Sequence, residues 1–311
     1  MFILLTGDSG AGSALPGRFP SHAEADFVWW GLTTAEMRLT PRDDLARSPA
    51  LITRAARLLA DFPTLVVRCG TGSAPKCPYM ETGAQAGEDP TKGPSVQDAG
   101  LLWDSGFSLG RLLGGLGDRL VLGMSCPGCE VTARLILKAL GYKAGALDDS
   151  PSREGEPSPW EKASSRLEIR PGDLIGHGFK AVSELGDPAL VIAAAMTAGA
   201  MGGAEVLLSG GLQMLAASAL LRDLGEKGRI GLATTGRTEK NLASALGELS
   251  ALLYLRVQVV DLGEVSDGAG ASGAALLAEE SGFAPERVLD RALRLSEEIE
   301  SGTPGSREGG R

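Results

Sequence analysis

Four glycine-rich segments, each following a short apolar run, hold the residues with chemistry to offer. Near the C-terminus, Val257-Gln-Val-Val-Asp-Leu-Gly-Glu-Val-Ser-Asp-Gly-Ala-Gly leads from a strand into a turn carrying Asp267, Gly268 and Gly270, and a helix is expected to open near Ala271. Such a turn offers backbone N–H groups to a phosphate, and the helix dipole adds to the attraction. Leu207-Leu-Ser-Gly-Gly-Leu-Gln-Met repeats the pattern with Ser209, Gly210, Gly211 and Gln213. Gly231-Leu-Ala-Thr-Thr-Gly-Arg adds the hydroxyls of Thr234 and Thr235, and Gly123-Met-Ser-Cys-Pro-Gly-Cys adds Pro127 and Gly128. Each of these also has a purely structural reading, with Asp267 as a turn residue or helix cap. Together they favour one crevice for a phosphate and a sugar, because open α/β sheets bind ligands beyond the carboxyl ends of their strands. Gly268, Gly270 and Gly273 spell G-x-G-x-x-G as well. A dinucleotide site would continue into another strand with an acidic residue about 20 positions on, whereas here only helices follow.

The elements that must position these turns read as alternating strands and helices. Strands are expected at Phe2–Leu5, Asp26–Trp30, Thr64–Arg68, Arg119–Gly123, Glu205–Ser209, Arg229–Ala233 and Arg256–Leu262. Most are solidly apolar, as parallel strands buried on both faces are. Helices are expected at Pro49–Asp61, with Ser48 as its N-cap, and at Glu130–Leu140, stopped by Gly141. Repeated strand–helix–strand units predict a three-layer α/β/α fold with a mainly parallel, doubly wound sheet. The expected organisation is a single domain over residues 1–301. Within it the N-terminal region and a C-terminal helix at 285–301 form a lesser helical subdomain, and residues 302–311 are expected to be a disordered tail. Val288, Leu289, Ala292, Leu293, Leu295 and Ile299 give that helix an apolar face open to a partner subunit.

Bulk properties narrow the classes. Hydrophobic residues make up 43% and charged residues 22% of the 311-residue chain, enough for a sizeable core. The net charge is −9 without a basic run, which argues against nucleic acid as the main partner. The N-terminal apolar run is too short for a signal peptide or membrane span. The Ala-rich stretch from Pro188 suits a helix packed on a sheet, so a soluble, cytoplasmic protein is expected.

Cysteine supplies a rival reading. Cys126 and Cys129 form C-P-G-C at a strand end, Cys69 ends another strand, and Cys77 follows it. If neighbouring strands carried them together, four sulfurs could hold zinc or an iron–sulfur cluster. The spacing of the first pair does not favour a metal, and free cysteines packed as small hydrophobes are the default. Neither His22 nor His177 pairs with a nucleophile by sequence logic.

The ordered set Pro49-Ala-Leu-Ile-Thr-Arg-Ala-Ala, Ser125-Cys-Pro-Gly, Gly186-Asp-Pro, Ser209-Gly-Gly-Leu-Gln-Met, Ala233-Thr-Thr and Asp267-Gly-Ala-Gly-Ala resembles the nicotinate mononucleotide:5,6-dimethylbenzimidazole phosphoribosyltransferase superfamily, in its archaeal-type branch. The resemblance spans most of the chain. It implies transfer of a phosphoribosyl group from nicotinate mononucleotide to a benzimidazole-type or related azole base, giving an α-ribotide for a cobamide lower ligand. It also implies a homodimer and no cofactor. The family's general-base glutamate falls on Asp267, one methylene shorter, and a family lysine falls on Lys162. A second family glutamate falls on Met124, so one contact to the base is missing. The alternatives are a nucleotide-binding relative with little or no catalysis and a cysteine-ligated metal protein.

Overall fold

The computed structural model describes residues 1–12, 19–143 and 156–301. The expected tail at 302–311 lies outside the described residues. Seven strands form one sheet: β1 (Phe2–Thr6), β2 (Thr64–Arg68), β3 (Tyr79–Glu81), β4 (Arg119–Ser125), β5 (Glu205–Ser209), β6 (Ile230–Thr235) and β7 (Leu255–Val260). Their order is β3-β2-β1-β4-β5-β6-β7, and every pairing is parallel. The winding reverses between β1 and β4, and their carboxyl ends part there to leave the crevice in which such sheets bind ligands.

Alternation along the strands builds two cores. Ile3, Leu5, Leu120, Leu122, Val206, Leu208 and Leu232 face one layer, in which helices 99–114, 129–139, 188–200 and 212–223 pack. Phe2, Leu4, Val66, Val121, Leu207 and Ala233 face the other, covered by helices 21–30, 49–60, 271–280 and 285–300. This is the expected three-layer arrangement.

Two expectations need correction. Asp26–Trp30 is not a strand but the second half of the helix Ser21–Trp30. The helix is buried on several sides, so its 3.6-residue period is hidden. What closes it is non-local: Arg54 Nη1 donates to Phe27 O at 3.0 Å, Arg57 Nη1 donates to Trp29 O at 2.8 Å, and Gly31 caps it at φ 76°. The helix Pro49–Ala60 has Ser48 at its N-cap position as expected, without a capping bond from the side chain. Much of the apolar face of the C-terminal helix is covered by its own chain: Val288, Ala292 and Leu295 are buried in the second core, against the region of helices 42–46 and 49–60, while Leu293 stays exposed.

No described helix is long and apolar enough to cross a membrane.

Candidate functional site

A cleft of about 300 Å³ opens at the winding reversal. The floor comes from the end of β4 and the turn after it: Met124, Ser125, Cys126, Pro127, Cys129 and Glu130. One wall is Ser266, Asp267, Gly268 and Ala269, with Gln213 beside it. The opposite wall comes from N-terminal segments, with Glu24, Asp44, Leu45 and Ser48. The helix Cys129–Ala139 points its N-terminus at the floor, and its cap Gly128 has φ 88°, a conformation that glycine adopts without steric penalty.

Asp267 is half-buried and is fixed from three directions. Oδ2 accepts from Thr234 Oγ1 at 2.5 Å and from the Thr235 amide at 3.0 Å, and Oδ1 accepts from Ser272 Oγ at 2.8 Å. Its own amide donates to Thr238 Oγ1 at 3.0 Å. Burial pushes the carboxyl pKa up, against the pull of these donors, which favour the charged form. The side chain is therefore pre-oriented, with a proton affinity above that of a solvent-exposed aspartate.

The turn that carries it is seated by close backbone approach. Gly270 has φ 74°, and a Cβ on it would lie 2.6 Å from the Phe2 ring. A Cβ on Gly273 would lie 2.5 Å from Val121 and 2.7 Å from Ser209. Ser209 Oγ accepts from the Gly273 amide at 2.7 Å and pairs with Ser272 Oγ at 3.0 Å.

The proposed site residues thus divide. Asp267, Pro127, Gln213 and Gly268 line the cleft, and Gly128 caps the helix that points into it. Ser209, Gly210, Gly211, Thr234, Thr235 and Gly270 do not line it; Ser209, Thr234 and Thr235 hold the Asp267 turn from behind. Lys162 is off the cleft wall: it lies on the helix Pro159–Leu167 and pairs with Glu156 at 3.9 Å.

Glu24 belongs to the site and was not anticipated. Its Oε2 accepts from Ser125 Oγ at 2.5 Å, which brings a carboxylate to the β4 floor beside Met124. It lies just before the segment misread as a strand, and only the helix turns it towards the sheet. Asp44 and Glu130 add further carboxylates, and no lysine or arginine lines the cleft among the described residues. Such a lining suits N–H donors and positive charge. An entering phosphate would have to rely on backbone amides and the dipole of the 129–139 helix.

Behind the floor, Asp187 is fully buried. It accepts from Thr132 Oγ1 at 2.6 Å and from the Leu190 amide at 2.8 Å, joining two helices. Burial raises its pKa.

The four cysteines do not converge. Cys69, Cys126 and Cys129 pack in the first core and Cys77 in the second, on the far side of the sheet. All are buried as free thiols. Among the described residues no group of three or more His, Cys, Asp or Glu is placed to hold a metal ion.

The UPF0284 protein of Pyrococcus furiosus is 31% identical over 325 residues, covering 95% of this chain and 97% of the relative. The chain belongs to the UPF0284 family. Another UPF0284 protein, from Thermococcus gammatolerans, is 34% identical over 269 residues and covers 80% of each chain. That of Halobacterium salinarum is 30% identical over 311 residues, covering 94% and 92%. No family model matches the chain. Among solved structures, the nicotinate-nucleotide-dimethylbenzimidazole phosphoribosyltransferase of Thermus thermophilus superposes with a TM-score of 0.59 at 17% identity, over 97% of this chain and 85% of that one. CobT of the same organism gives 0.59 at 18% identity over 98% and 86%. This UPF0284 chain therefore has the fold that its ordered motifs led us to expect.

Proposed function

We propose that the protein transfers a phosphoribosyl group from nicotinate mononucleotide to an azole base. The observation that carries this reading is Asp267: a half-buried, pre-oriented carboxylate with a raised pKa, on the wall of a cleft at the winding reversal. The ring nitrogen of the base attacks the anomeric carbon. The bond from that carbon to the pyridinium nitrogen breaks, and nicotinate leaves with the electron pair. The proton on the attacking azole passes to Asp267. Attack from the opposite side inverts the anomeric centre and gives the α-ribotide. Holding base and sugar together supplies much of the acceleration.

The acidic lining fits the ring end of this substrate. The glycosidic pyridinium is cationic and the azole is an N–H donor, and Glu24, Glu130 and Asp267 can face them. The Gly128 and Gly268 turns are the candidate holders of the phosphate. Lys162 has no part in this mechanism as we draw it. The homodimer belongs to this proposal, and Leu293 is the exposed apolar residue that the C-terminal helix offers it.

A second reading, a nucleotide-binding protein without turnover, is favoured by the engagement of both Asp267 oxygens within the chain. Incubation with nicotinate mononucleotide and a panel of azoles separates the two. Nicotinate release that is lost in Asp267→Asn supports the transferase; saturable nucleotide binding with no release supports the second reading.

A further inference from the structure

The opposite edge of the sheet carries a groove of different character. It occupies about 720 Å³ at the amino ends of β5, β6 and β7, and is lined by Glu205, Lys227, Arg229, Tyr254 and Arg256 among others. Lys227, Arg229 and Arg256 are exposed, and none has an ion-pair partner among the described residues. The carboxylate on the lining, Glu205, is engaged by Arg119 at 3.4 Å. In a chain of net charge −9, three cations without partners around one hollow form a local reversal of sign.

Beside them stands an aromatic ring in an unusual posture. Tyr254 is 79% exposed and has φ 54°, in the left-handed region that a bulky residue rarely enters. Such a backbone is strained, so the turn from helix 244–252 into β7 must fix it, and the ring is left in solvent. The β6–β7 register pairs Ile230 with Leu255 and Gly231 with Arg256. Arg229 and Tyr254, one residue earlier on each strand, therefore stand side by side at the rim.

We infer that this groove is a second binding site, and that it takes a nucleoside phosphate. Two arginines and a lysine supply charge-assisted donors for the phosphate oxygens. The Tyr254 ring offers a flat face on which a base can stack. The volume is that of a mononucleotide-sized pocket. The surrounding negative charge disfavours a long polyanion, whose affinity would need cations along its whole length. The site lies at the far end of the strands from Asp267 and does not depend on the function proposed for that cleft.

Isothermal titration calorimetry of the full chain at low salt tests this with three probes: ATP, inorganic tripolyphosphate and adenosine. The expected result is saturable ATP binding, weaker tripolyphosphate binding, and adenosine binding weaker than either. R229E/R256E should weaken ATP roughly tenfold or more, the loss of one or two charged contacts. The milder R229Q/R256Q pair should give a loss in the same direction should the charge reversal unfold the chain. Tyr254→Ala should weaken ATP several-fold and leave tripolyphosphate unchanged, whereas Asp267→Asn should leave ATP binding intact. Absence of saturable ATP binding overturns the inference. So does wild-type affinity in both arginine pairs, equal loss of ATP and tripolyphosphate in Tyr254→Ala, or loss of ATP binding in Asp267→Asn.

Discussion

The hydroxyl of Thr234, at the end of β6, donates to Asp267 Oδ2 at 2.5 Å across the carboxyl edge of the sheet. That bond favours the ionised carboxylate while burial opposes it, and together they set the pH at which Asp267 can accept a proton. Two consequences are measurable. Asp267→Asn should cut nicotinate release by ~10²–10⁴-fold, the usual worth of a general base. Thr234→Val removes a donor to the charged form, so the pKa rises. The base is then protonated over a wider range, and the acidic limb of the rate profile should move to higher pH. A limb that stays where it was in Thr234→Val would remove Asp267 from the proton transfer.

Asp187 bears on stability rather than turnover. Its folded-state pKa is raised by burial, so the folded chain holds a proton that the unfolded chain has already released. Stability should therefore fall as pH rises from the unfolded aspartate value of about 3.9 through the raised folded value, and flatten above it. Asp267 adds a slope of the same sign. Urea midpoints at a series of pH values should show this decline, with a shallower slope in Asp187→Asn. An unchanged slope in that variant would contradict the assignment.

Glycine at 273 is a packing requirement. A methyl group there meets Val121 and Ser209 inside ordinary contact distance, and the Ser209 side chain already receives the Gly273 amide. Gly273→Ala should cost about 1–3 kcal/mol, the range for overpacking a filled core. It should also lower turnover by shifting the Asp267 turn. Thermal denaturation and a rate assay on the same sample test both, and a fully stable, fully active variant would refute the packing argument.

The thiols should be inert. Burial pushes Cys77 up to about 12, and Cys126 is raised well above the usual thiol value by its hydrogen bond to the Cys129 thiol, by burial and by the nearby Asp187. Thiolate is the reactive form. At pH 8 a disulfide-exchange reagent should label the native chain slowly and label all four cysteines after unfolding. Excess zinc should leave the melting temperature unchanged, and a rise of several degrees would revive the metal reading.

Much of this fold could be read in the chain because its central strands are buried on both faces. Phe2–Leu5, Thr64–Arg68 and Glu205–Ser209 announce themselves as unbroken apolar runs, and the glycine turns after them mark the edge that holds the cleft. The helix Ser21–Trp30 defeated the same logic, because Phe27, Val28 and Trp29 mimic such a run while distant Arg54 and Arg57 cap it. Missing that helix meant missing Glu24, whose place in the cleft depends on helical geometry. The three-residue β3 was also illegible: Tyr79–Glu81 is too short for a period and is held by pairing with β2. Motif order located Asp267 but could not separate residues that line the cleft, such as Gln213, from those that brace it, such as Ser209. That distinction lies in side-chain direction, which a glycine pattern does not encode.

Gly270 rests against Phe2 and Gly123, so the first strand and the turn that follows the last one meet at the centre of the sheet. Contacts of such sequence separation form late and slowly. While the chain is being synthesised, the first strands and their cover can assemble, but the wall of the cleft formed by Ser266, Asp267, Gly268 and Ala269 arrives only with the segment after β7. Chains stopped short of that segment should therefore be inactive even where their first strands have paired. On the proposed mechanism, turnover would begin only once the ribosome has delivered the Asp267 turn.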